Sequence, residues 1–169
     1  MKKYLPWSIG LSWLIFIVVL AFVLPDVSQA NEANGLLESI DTNFSFSIPD
    51  LVRILETYGE EGRAYYILQR WTFDLYYPLV YGIPISLSLY GLLHGKPFQR
   101  VAWLGLIASS FDYLENIIFT LAAATFPTAT TFWVSLGVIL SVAKWSALGG
   151  GFLLIFVLLS QRLFQKKRG

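Results

Sequence analysis

Residues 109–116 read Ser109-Ser110-Phe111-Asp112-Tyr113-Leu114-Glu115-Asn116. They lie inside a mostly apolar run, residues 101–126, which at about 1.5 Å of rise per residue can cross a hydrocarbon core of about 30 Å. Asp112, Glu115 and Asn116 therefore fall at a depth where hydrocarbon is expected. An ionisable side chain there needs a partner, a proton or a water-filled cavity. The stretch predicts a membrane helix with a polar centre.

The composition agrees with that reading. Of 169 residues, 56% are hydrophobic, and the mean hydropathy is +0.60, well outside the soluble range. The chain has no cysteine and a single histidine, His94. Disulfides, thiolate metal sites and a bis-histidine haem within one chain are thereby excluded. No cofactor and no metal site are expected. His94 sits in the turn His94-Gly95-Lys96-Pro97 and reads as a solvated loop residue.

Working outward, four spans are predicted, at about 5–24, 71–93, 101–126 and 132–159, in one transmembrane domain covering residues 1–169. The first run ends at Pro25. It reads either as a helix or as a signal peptide, since Lys2-Lys3 precedes it and Ser28-Gln29-Ala30 offers small residues for cleavage. Residues 26–70 form the one long polar segment and are assigned to an outer loop. Within it, Ser47-Ile48-Pro49-Asp50 has the form of a capped helix start. Leu51, Val52, Ile54, Leu55 and Tyr58 then recur at helical spacing. Gly59 suits a stop, and a second helix follows from Glu60. The fold class expected is all-α: a membrane four-helix bundle with a short amphipathic helix pair in the first extracytoplasmic loop.

The placement of basic residues sets the expected orientation. Lys2, Lys3, Lys96, Arg100, Arg162, Lys166, Lys167 and Arg168 fall on one side, with no Asp or Glu among them. The segment 26–70 carries eight carboxylates against Arg53, Arg63 and Arg70. The chain is thus predicted to be multi-pass in the inner (plasma) membrane, with both termini cytoplasmic.

The candidate site is the polar centre itself. Gly105, Ser109, Asp112 and Asn116 share a face of the third span, with Glu115 beside it. Gly137, Ser141, Lys144 and Leu148 repeat that spacing on the fourth, and Asp74, Tyr77 and Tyr81 line the second. Small residues every fourth position allow helices to approach closely. Counting rise from the span ends puts Asp112 and Lys144 both near mid-membrane, so they are expected to pair. Glu115 and Asn116 are expected nearer Asp74. Asp74, Asp112 and Glu115 against Lys144 leave a net −2 if all are ionised. That state is disfavoured by burial and repulsion, which predicts a protonated carboxyl group, a bound cation or a wet pocket.

The set Gly59-Glu60-Glu61-Gly62-Arg63, Asp74 with Tyr77-Pro78 and Tyr81, Asp112-Tyr113-Leu114-Glu115-Asn116, and Lys144-Trp145 resembles a group of small, uncharacterised bacterial four-span integral membrane proteins. The resemblance covers roughly residues 47–159. It implies four helices and a bacterial inner-membrane location and supplies no activity.

Three functions fit these residues. In the first, the buried centre of Asp74, Tyr77, Tyr81, Asp112, Glu115, Asn116 and Lys144 holds the bundle together and binds a small molecule or lipid. In the second, an intramembrane lipid-modifying enzyme uses Asp112 or Glu115 as acid or base. In the third, the chain is a proton- or cation-coupled carrier, which at this size works only as an oligomer. The partners expected are membrane lipid and further copies of the chain, with nucleic acid not among them.

Overall fold

The computed structural model describes residues 4–40, 43, 47–128 and 130–166. The described chain is helical, with six helices and no strand. Helix α1 runs Leu5–Ala33. Pro25 does not end it. A proline lacks the N–H of the helical ladder and its ring crowds the carbonyl four residues back. A π-helical turn over Val19–Val23 precedes it, in which the Leu24 N–H reaches the Val19 carbonyl. The wider turn lets the helix continue. It stops at Asn34, with Gly35 at φ +86°.

Helix α2, Ile48–Thr57, starts as its sequence predicts. The Ser47 hydroxyl accepts from the Asp50 N–H at 3.4 Å, and Leu51, Ile54 and Leu55 are buried. Gly59 has φ +64°, a conformation that a side chain disfavours, and it marks the break to α3, Gly59–Arg70. Helix α4 is Phe73–Leu93. A 3₁₀ turn over Gln99–Trp103 leads into α5, Leu104–Ala124, and α6 is Thr130–Lys166. Its 37 residues extend roughly 55 Å, well beyond a bilayer core.

Three helices are long and apolar enough to cross a membrane: Leu5–Ala33, Gln99–Ala124 and Thr130–Gln165. Three of the four expected spans coincide with these helices, and the fourth, at about residues 71–93, coincides with helix α4. Helix α4 has 21 residues and carries Asp74, Pro78 and Pro84. Two boundaries change. The first helix extends through residues 25–33, which the sequence assigned to loop, and the last continues past residue 159. Trp7, Leu14 and Phe22 on α1 and Ile139, Leu153 and Phe156 on α6 remain exposed, as lipid-facing residues would.

Helices α5 and α6 form the most extensive pairing, and α4 packs on α5. The α4–α5 approach is backbone to backbone. A Cβ on Gly105 would overlap the Gly82 carbonyl oxygen and lie 2.8 Å from Ser86 Oγ. A Cβ on Gly82 would overlap Ser109 Oγ. Gly137 on α6 makes room for Phe119, whose ring a Cβ there would meet at 2.5 Å. Two apolar clusters result. One joins α2, α3 and the adjoining ends of α5 and α6 around Leu55, Tyr66, Phe119 and Val134. The other joins α4 and α5 around Ile85, Leu89 and Ala108, with Trp13 and Phe16 of α1 against it. The polar centre lies between them.

Candidate functional site

Glu115 is the most enclosed charged residue described, with no exposed surface. It accepts from the Ser141 hydroxyl and pairs with the Lys144 ammonium, both in short contacts. Lys144 Nζ also lies 3.4 Å from Asp112 Oδ1. The other oxygen of Asp112 accepts from the Tyr81 hydroxyl at 2.7 Å. A continuous chain therefore runs Tyr81, Asp112, Lys144, Glu115, Ser141 across α4, α5 and α6. The small-residue faces explain how long polar side chains meet here. Gly105 brings the α4 and α5 backbones together, Gly137 makes room for the Phe119 ring of α5, and the charged residues follow two turns along each helix.

The expected Asp112–Lys144 contact exists, but Glu115 is the closer partner. The expectation rested on depth alone, whereas a helical side chain also needs the right rotation about its axis. Glu115 lies three residues beyond Asp112 on α5 and faces Ser141 and Lys144 directly.

Arg70 is the residue that sequence reasoning misplaced. It was assigned to the end of a surface helix in the outer segment 26–70, yet it is 5% exposed. Its guanidinium donates to Asn116 Oδ1 at 3.1 Å and pairs with Asp74 at 2.7 Å. It also lies 4.6 Å over the Tyr66 ring. The i,i+4 spacing of Arg70 and Asp74 was the available signal. Arg70 ends α3 and Asp74 opens α4, so each sits at the helix end whose dipole favours its charge. Arg70 also corrects the charge count. Two cations now face three carboxylates, leaving an excess of one negative charge among the described residues of the centre if all are ionised.

A cavity of about 370 Å³, partly open, lies against this centre. Its lining includes the polar Arg70, Asp74, Tyr77, Tyr81, Asp112 and Lys144. It also includes the apolar Phe16, Leu148 and Phe152, with Leu148 and Phe152 one and two turns beyond Lys144 on α6. Leu24, Val27, Ser28 and Asn31 supply a wall from α1. Those four recur at helical spacing, and they reach the cavity because α1 continues past Pro25. Glu115 and Asn116 stand behind the lining. The structure thus brings together all seven predicted residues but divides them, five at the cavity and two sealed beneath it. Phe73, Tyr77 and Tyr81 form a run of rings, with Phe73 and Tyr77 stacked at 4.9 Å and Tyr77 and Tyr81 edge-on at 5.7 Å. Trp13 and Phe152, with ring centroids 6.1 Å apart, separate the cavity from a second one of about 500 Å³ nearer Arg162.

No group of three or more His, Cys, Asp or Glu able to hold a metal occurs among the described residues. No protein-family model matches the chain, and neither a curated protein nor a solved structure matches it.

Proposed function

We propose that the chain is a small multi-pass membrane protein that binds an amphipathic ligand, such as a lipid, in the cavity above its polar centre. The pair of sealed Glu115 with Lys144 holds α5 and α6 in register, and Asp74, Tyr77, Tyr81, Asp112 and Lys144 face the ligand. The observation carrying this is the cavity's lining, which joins charged Asp74, Asp112 and Lys144 to apolar Phe16, Leu148 and Phe152. A dry structural ion pair has no need of such a space, and ligand sites are typically apolar pockets with a few placed polar groups. The test is mass spectrometry of lipids and metabolites that co-purify with the wild type and with Leu148→Trp, which fills space at the apolar lining. A retained species lost in the variant supports binding. Identical small-molecule content in both rejects it.

The proposed location is the bacterial inner membrane, with both termini in the cytoplasm. The basic residues Lys96, Arg100 and Arg162 and the acidic segment 26–70 support this orientation. Reporter fusions at Gly95 and after Gly169 should both be active only with a cytoplasmic reporter.

One observation favours a second reading, an enzyme acting on such a lipid. The chain from Tyr81 to Ser141 begins at the cavity and is a route for protons between a bound molecule and buried groups. Asp112 would be the acid or base. Conversion of a labelled membrane lipid by wild type but not Asp112→Asn would establish it.

A further inference from the structure

The ligand's charge can be read from the cavity. Each cation in the lining is already held by protein: Arg70 by Asp74 and Asn116, Lys144 by Glu115 and Asp112. An anionic headgroup would have to draw one of them off its carboxylates and, with all three carboxylates ionised, would add to their excess of one negative charge. A cation would offset that excess. Asp74 and Asp112, the two carboxylates that line the cavity, share its lining with Arg70 and Lys144 and with the rings of Phe73, Tyr77, Tyr81 and Trp145. Ring faces attract cations, and they favour organic ammonium groups that shed water readily. Apolar side chains of the same lining would cover the rest of the molecule.

We infer that the cavity takes an amphiphile with an ammonium headgroup, its charge seated near Asp74 and Asp112 against the aromatic run and its apolar part against Phe16, Leu148 and Phe152. This inference rests on the amphiphile-binding reading above and specifies its ligand. The ammonium can come from an amine-headgroup membrane lipid or from a soluble amphiphilic amine.

Two arms of one experiment separate these sources. In the first, the full chain is placed in nanodiscs of equal phosphatidylethanolamine and phosphatidylglycerol, and the lipids it retains are counted by native mass spectrometry. In the second, decyltrimethylammonium is titrated into the protein in neutral detergent by calorimetry. Preference for phosphatidylethanolamine of about tenfold is expected in the first arm if the source is lipid. Saturable binding in the second arm alone assigns a soluble amine. Asp112→Asn should reduce either signal about tenfold while Asp112→Glu restores it, a pairing that a folding defect would not produce. Equal retention of both lipids by wild type, with no binding of the amine, overturns the ammonium assignment and leaves amphiphile binding intact. Absence of any retained lipid or bound amine overturns both.

Discussion

Asp112 and Glu115 stand three residues apart on one helix and share one lysine, yet they occupy different chemical settings. The Glu115 side chain has no exposed surface, whereas that of Asp112 keeps 10% and lines a cavity. Glu115 is enclosed by Ser141 and Lys144. Asp112 holds Lys144 at a longer distance and spends its other oxygen on Tyr81. The difference teaches that a buried ion pair and a cavity-facing carboxylate can be built from one polar stretch. Which is which depends on a rotation of about 60° around the helix axis, since three residues fall that far short of a full turn.

Substitutions can break this comparison. Glu115→Gln should cost the most, about 3–5 kcal/mol, because it leaves a buried ammonium without its closest partner. Unfolding in mixed micelles measures it, and Glu115→Gln with Lys144→Met should recover part of the loss. Gly105→Leu comes next. It forces α4 from α5 and should cost about 1–3 kcal/mol through overpacking. In the same assay Asp112→Asn should cost only about 1 kcal/mol, since Tyr81 can still donate to the remaining amide oxygen. Equal losses for Asp112→Asn and Glu115→Gln would erase the proposed division of labour.

The smallest effect is expected outside the membrane helices. Arg53 donates two hydrogen bonds to Glu38 at 3.1 and 3.0 Å, and this contact lowers the Glu38 carboxyl from its ordinary pKa of 4.5. A depressed folded-state pKa means the stabilisation is present above the ordinary value and lost as pH falls through the lowered one. Both side chains are half exposed, so solvent screens the pair. Glu38→Gln should leave the melting temperature nearly unchanged at neutral pH and remove a slight decline below pH 4.5.

Residues 25–33 and Arg70 show where sequence reasoning stopped. A proline after an apolar run is a sound reason to end a helix, because the lost hydrogen bond and the ring clash are local costs. Here a π-helical turn absorbs both, and no local signal in Val19–Val23 announces it. Arg70 ends a helix in the acidic segment 26–70, where an arginine ordinarily stays in water. Its burial depends on Asp74 and Asn116 arriving from α4 and α5, which residue-by-residue hydropathy cannot register.

The polar stretch 109–116, the small-residue faces and the apolar runs were sufficient by themselves to determine helices, an apolar environment and a charged centre. These follow from the 3.6-residue period and the transfer cost of polar groups, both properties of the chain alone. Tertiary structure decided that Glu115 rather than Asp112 is the sealed partner of Lys144, that Arg70 joins the centre, and that α1 walls a cavity beside it. Those outcomes depend on how far each helix is turned and slid against its neighbours. Here the contacts of Gly82, Gly105 and Gly137 set that geometry, and only the packed helices contain those contacts.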